Sequence, residues 1–142
     1  MPNLAVAVLT PLAALAGLLL LARRLLLVVT VRGASMTPTL TPGDRILVLR
    51  RSARRLRDRR VVVLRSDRIP TSGRTDLVVK RVAARAGAPV PSGTGRVPEG
   101  HLVVLGDNPA LSTDSRIWGP VPAASVVGVM VGRMGRADGA RH

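Results

Sequence analysis

Leu77-Val78-Val79-Lys80-Arg81-Val82-Ala83 is the stretch that decides the fold. It is short, dense in β-branched valine, and bounded by a polar loop on one side and a Gly/Pro-rich connection on the other, which together read as a strand. Working outward, the same signature recurs in Arg45-Ile46-Leu47-Val48-Leu49, in Val61-Val62-Val63-Leu64, in Leu102-Val103-Val104-Leu105 and from Val126 to Met134. Leu25 to Arg32 is a further apolar, partly β-branched run. Between these runs stand the turn Thr41-Pro42-Gly43-Asp44, the polar loop Ser66 to Asp76 and the connection Ala86 to Gly100. Short strands separated by turns, with no amphipathic helical window, predict an all-β domain over 25–134. The residues from Gly135 onward are expected to fray as a tail, 135–142.

The first residues follow a different rule. Leu4 to Ala22 is an uncharged run of 19 residues. As a helix it spans roughly 28 Å, about one hydrocarbon core. Pro11 and Gly17 interrupt it, and both are tolerated in membrane helices. Met1-Pro2-Asn3 lacks the basic region of a cleaved signal peptide, and Arg23-Arg24 reads as a stop. The sequence thus predicts a single-pass transmembrane anchor over 1–24. With Arg23, Arg24 and Arg32 on its C-terminal side, the positive-inside rule places the following domain in the cytoplasm.

Of the 22 basic residues only Lys80 is a lysine, and the net charge is +14. Such a charge attracts nucleic acid or an anionic membrane surface. Trp118 is the only aromatic residue, so no platform for stacked bases is available and no nucleic-acid partner is expected. Arg50 to Arg60 carries seven arginines and little apolar periodicity. It reads as a solvated basic loop or short helix, with contact to membrane lipid as the functional alternative. The absence of cysteine excludes disulfides and thiol chemistry. Two isolated histidines, His101 and His142, and no carboxylate cluster leave no expected metal site, and nothing calls for a cofactor.

Arginine keeps its proton near neutral pH, whereas a desolvated lysine loses it and can serve as a base. On a strand Lys80 shares a face with Val78 and Val82, while Arg81 points the other way. Burial among valines lowers the lysine pKa. The competing view is that Lys80 is one more surface cation. A base of this kind would suit Ser35, in Gly33-Ala34-Ser35-Met36-Thr37-Pro38-Thr39-Leu40. There glycine permits an unusual turn and Pro38 drives Thr37 toward an extended conformation. A serine hydroxyl is a weak nucleophile until a base takes its proton. A third segment, Gly106-Asp107-Asn108-Pro109-Ala110-Leu111-Ser112-Thr113-Asp114-Ser115-Arg116, offers Ser112 to orient the Lys80 amine. Asp114 and Arg116 offer a supporting pair, the three side chains alternating along an extended segment. Read as plain structure, Asp107-Asn108-Pro109 is a turn and Asp114/Arg116 a surface pair. His101 is the competing base, in a Ser35/His101/Asp triad. It follows the turn Pro98-Glu99-Gly100 and is expected to be exposed.

These three segments, in this order, resemble the boxes of the type I signal peptidases, a family of membrane-anchored serine proteases. The nucleophile box resembles Ser35-Met36-Thr37-Pro38-Thr39 and the base box Lys80-Arg81-Val82. The third box resembles Gly106-Asp107-Asn108, Ser112 through Arg116, and Gly119-Pro120-Val121. The resemblance runs from about Val31 to Val131. It implies a small signal-peptidase-like β catalytic domain with Ser35 as nucleophile and Lys80 as base. It also implies the Ser35 backbone N–H as an oxyanion donor, Ser112 positioning Lys80, and Asp107, Asn108, Asp114 and Arg116 as supports. Some members carry a hydroxyl residue two positions before the nucleophile; here that position is Gly33. Only about two dozen residues separate Lys80 from Gly106, leaving no room for the extra β domain of larger members. The compact form, the wording of the third box and Gly119-Pro120-Val121-Pro122 resemble the branch that matures nickel-type superoxide dismutase. That branch implies a dismutase precursor as substrate and a cytoplasmic catalytic domain. The alternatives are a minimal signal peptidase acting on secretory preproteins at the outer face, and a non-enzymatic basic membrane adaptor.

Overall fold

The computed structural model describes residues 3–69, 76–91 and 93–137. The chain opens with helix α1 (Leu4–Leu25), in which Pro11 is accommodated. The span Ala5–Leu25 has a mean hydropathy of 2.4, and none of its most apolar window is buried. Leu9, Leu12, Leu18 and Leu20 are all exposed. A helix of this length with this much unburied leucine is long and apolar enough to cross a membrane. Arg23 and Arg24 occupy its last turn, where positive charge complements the helix dipole.

The expected anchor ended at residue 24, but α1 includes Leu25 and passes into strand β1 (Leu26–Thr30) with no intervening loop. Leu25 is therefore helical, not the start of the strand run. The other strands are β2 (Asp44–Arg50), β3 (Val61–Arg65), β4 (Leu77–Arg85), β5 (His101–Leu105), β6 (Val121–Pro122) and β7 (Val126–Arg136). They form one antiparallel sheet in the order β1-β2-β7-β3-β4-β5-β6. The all-β expectation holds, and the last strand inserts between the second and third.

Two apolar clusters occupy the sheet's two sides. One joins Val29, Val31, Met36, Leu40, Ile46, Val48, Val61, Val63 and Val79. The other joins Leu56, Val62, Leu64, Ile69, Val82, Leu102, Val104, Val121 and Val129, with Val78 and Trp118 packed against it. Alternation along β3 sends Val61 and Val63 one way and Val62 and Leu64 the other. Both sides are buried, so β3 reads as a continuous apolar run without polar alternation. Fully burying one such side chain contributes about 1.5–3 kcal/mol.

Register breaks at Arg45/Ile46 and Leu47/Val48 in the β2–β7 pair, at Val63/Leu64 in β3–β7 and at Val82/Ala84 in β4–β5 strengthen the twist and let the sheet curl. The tail expected from Gly135 does not begin there. Gly135 and Arg136 pair with Arg45 and Asp44, and the Ala137 N–H donates to the Gly43 carbonyl. The cause is Asp44, a buried carboxylate that accepts from the Thr41 N–H at 2.9 Å and from Arg133 at 3.2 Å, tying the end of β7 to the start of β2. The rest of the expected tail, His142 included, lies outside the described residues, as does most of the Ser66 to Asp76 loop.

Candidate active site

Lys80 sits where the strand reading put it, on the face of β4 that carries Val78 and Val82, and is 4% exposed. Its Nζ donates to Ser112 Oγ at 3.0 Å and lies 5.9 Å from the centre of the Trp118 ring. Burial is the largest influence on this amine and lowers its pKa; the negative field of Asp114 works the other way, and Arg116 adds to the lowering.

Ser112 Oγ in turn donates to Asp114 Oδ2 at 2.6 Å. That fixes the direction of the chain of bonds. With its proton committed to the carboxylate, the Ser112 oxygen must accept, so the Lys80 amine donates to it. A neutral amine held this way keeps its lone pair for another partner.

Asp114 is 0% exposed, yet it is ionised. Burial raises its pKa, but the Arg116 guanidinium, the Gly106 N–H and the Ser112 hydroxyl together outweigh burial and hold the carboxyl well below the usual range. Arg116 donates from Nε at 2.9 Å and Nη2 at 2.6 Å, and the Gly106 N–H reaches Oδ2 at 2.8 Å. The expected pairing of Asp114 with Arg116 is present, on a different backbone. Asp114 caps a short helix, α2 (Ser115–Trp118), by accepting from the Arg116 N–H at 3.1 Å. The segment is therefore extended only as far as Asp114. Asp at a helix start satisfies an otherwise unpaired N–H, a local signal the alternating pattern hid.

Ser35 stands half-exposed at the start of a turn closed by Thr37, whose N–H and hydroxyl both donate to the Ala34 carbonyl, at 3.2 and 2.8 Å. Gly33 before it has a φ of 78°, the left-handed region that glycine adopts freely. The Thr37–Pro38 bond is cis. Met36 and Leu40 are buried and anchor the turn in the first cluster. Asn108 ties the third segment to it, its N–H donating to the Ser35 carbonyl at 2.9 Å and its Nδ2 to Thr37 Oγ1 at 2.8 Å. Asp107 takes a bidentate pair from Arg81, at 2.8 and 2.6 Å. Ser35 and Lys80 line the same cleft of about 630 Å³, with Val28 to Ala34, Leu77 to Val79, Leu111 and Trp118 on its walls. Among the described residues no hydrogen bond joins the Ser35 hydroxyl directly to Lys80.

His101 is not part of this constellation. It begins β5, five residues before Gly106 and roughly 16 Å along the strand, and its Nδ1 lies 2.9 Å from the Glu99 carbonyl. It does not line the cleft. Among the described residues no three His, Asp or Glu side chains converge as metal ligands would.

The sequence profile described as "Signal peptidase, peptidase S26" matches residues 3–92 and 89–134. The chain belongs to the signal peptidase S26 family. Two subunits of the mitochondrial ATP-independent inner membrane protease of Arabidopsis thaliana are similar to it. Subunit 1b is 34% identical over 72% of this chain and 66% of its own length. Subunit 1a is 37% identical over 69% of this chain and 64% of its own. Thylakoidal processing peptidase 1 of the same plant is 29% identical over 73% of this chain and 40% of its own length. The chain thus spans two thirds or less of the relatives it matches.

Three contributors to this S26 site were given no role of their own when the sequence alone was read. Trp118 walls in Lys80, and its standing as the lone aromatic was the available signal. Arg81 anchors Asp107 across two strands, a pairing no sequence spacing reveals. Gly106 is the third: a Cβ there would sit on the Ser112 hydroxyl and 2.6 Å from the Ser35 carbonyl oxygen. We expect Gly106→Ala to force Ser112 away from Lys80, destabilising the domain by about 1–3 kcal/mol as overpacking does. Thermal unfolding of the purified variant checks the loss of stability, and the rate of peptide cleavage checks the displacement of Ser112.

Proposed function

We propose that this chain is a membrane-anchored serine endopeptidase that removes an N-terminal extension from a precursor protein, with Ser35 as nucleophile and Lys80 as general base. The observation that carries the reading is the buried Lys80 amine, oriented by Ser112 and sharing a cleft with Ser35. In this mechanism Lys80 takes the Ser35 proton as Oγ attacks the scissile carbonyl, and then delivers it to the departing amine. Water attacks the resulting acyl-enzyme, giving its proton to Lys80, and the proton returns to Ser35 when the ester breaks. The Ser35 N–H, which no protein acceptor takes among the described residues, serves as an oxyanion donor. Gly33 has no hydroxyl to add. Arg116 offsets the charge of Asp114, so that the carboxylate can hold Ser112 without fixing the proton on Lys80.

Two precursor classes fit the site. The wording of the third box, and the arginines in the last turn of α1 and just beyond it with the cytoplasmic placement they imply, support a nickel superoxide dismutase precursor. The match to the signal peptidase family supports a secretory preprotein, a reading that puts the domain on the outer face. Incubating the detergent-solubilised chain with both precursors, and reading product N-termini by mass spectrometry, separates the two. Cleavage is expected to fall by about a thousand-fold or more in Ser35→Ala. Equal cleavage by that variant overturns Ser35 as nucleophile. No cleavage of either precursor returns the chain to the adaptor reading.

A further inference from the structure

We infer that the turn following β2 and the last turn of α1 together form a binding surface for anionic phospholipid headgroups. The inference rests on α1 crossing a bilayer and is independent of the protease reading. β1 begins at the residue after α1, and its first residue, Leu26, pairs with Leu49 of β2. Adjacent strands lie about 4.8 Å apart, so β2 ends beside the point where the chain leaves the helix. Arg50 and Arg51 follow at that point. The polar layer of a bilayer adds roughly 5–7 Å per leaflet beyond the hydrocarbon, a depth an arginine side chain covers.

The segment is held, not loose. Ser52 accepts from the Arg54 N–H at 3.4 Å, Ala53–Arg55 forms a single helical turn, and Leu56 is buried in the second apolar cluster. This leaves Arg50, Arg51 and Arg54 exposed, as Arg23 and Arg24 are on the helix. Among the described residues none of the five is in an ion pair. Asp44, Asp58, Asp67, Asp107 and Asp114 are engaged by Arg133, Arg85, Arg65, Arg81 and Arg116. Leu25 and Leu26, both exposed, add apolar surface at the same place. Unpaired guanidinium groups fixed where a helix exits the bilayer, next to exposed leucine, match the phosphate of an anionic headgroup and the acyl boundary beneath it.

The test uses the full chain in bilayers of mixed phosphatidylglycerol and phosphatidylcholine, with native mass spectrometry counting each lipid retained on the extracted protein. The expected result is preferential retention of phosphatidylglycerol. That preference should fall at least about five-fold, the worth of one arginine at an anionic surface, in R50Q/R51Q/R54Q. It should be unchanged in R45Q/R96Q, which removes charge elsewhere. Equal retention of the two lipids by the unmodified chain overturns the inference. So does a preference that survives R50Q/R51Q/R54Q, or one lost equally in R45Q/R96Q, which would make it a matter of net charge. Capture of polyglutamate in place of phosphatidylglycerol overturns it in favour of an acidic protein partner. The sheet's thermal transition verifies that each variant is folded.

Discussion

Lys80→Met is expected to lower the rate of peptide cleavage by about a thousand-fold or more while leaving the protein at least as stable as before. The combination is diagnostic, because a lysine kept for packing would show the reverse. A general base must be unprotonated, and burial lowers the Lys80 pKa from its ordinary value. The unfolded lysine titrates near ~10.4, above the folded value. Stability linked to this group is therefore complete above the unfolded value and is lost as pH falls through the folded one. Below the ordinary lysine value the native protein carries the cost of burying this group, whether as an ammonium or as an amine that has given up its proton, and methionine removes it. The melting temperature of Lys80→Met is expected to match or exceed the parent's, and its alkaline pH dependence to flatten. Cleavage by the parent should rise with pH along an acid limb centred below the ordinary lysine value. Lys80→Arg should not restore activity, since a guanidinium stays charged. Parent-like cleavage by either variant would remove Lys80 from the mechanism.

Asp114→Asn is expected to cost about 3 kcal/mol, at the low end for breaking a buried pair because Arg116 is 32% exposed and regains some hydration. Asp114 gathers the Ser112 hydroxyl, the Gly106 N–H and two guanidinium nitrogens on its two oxygens. An amide offers one acceptor and a pair of donors that face other donors. The sign with pH is that of any ion-paired carboxylate. The Asp114 pKa is depressed, so its contribution is present above the unfolded value near ~3.9 and is lost only as pH falls through the folded value. Melting curves should show a gap between parent and variant that is constant through neutral and mildly acidic pH and narrows below ~4. Cleavage should fall as well, since Ser112 loses the acceptor that fixes its proton. A variant that melts with the parent would mean the buried carboxylate is not a support.

What could be read from the chain in advance was whatever is local. The span from Leu4, the valine-rich strands and the turns between them depend on composition over a few residues, and the helix and sheet formed accordingly. The residues Ser35, Lys80, Ser112, Asp114 and Arg116 were picked out by chemical type and by their resemblance to known boxes. The cleft holds Ser35 and Lys80, and hydrogen bonds link Lys80 to the other three. What escaped was non-local or a matter of ends. The insertion of β7 between β2 and β3 joins residues roughly sixty to ninety positions apart, and no periodicity encodes it. The pairing of Gly135 and Arg136 depends on a carboxylate at Asp44, a partner that a turn motif does not disclose. Helix α2 was invisible because four residues carry no period, and the cap at Asp114 looked like one step of a strand.

One consequence follows from the near-absence of aromatic residues. Trp118 is the sole indole in the chain, and its ring stands 5.9 Å from the Lys80 nitrogen with its own N–H buried and, among the described residues, unpartnered. Ultraviolet emission from this protein therefore arises from one place only. The chromophore faces the amine proposed as the base, so under that reading the molecule carries an optical gauge of the Lys80 charge, legible without substrate and without a label.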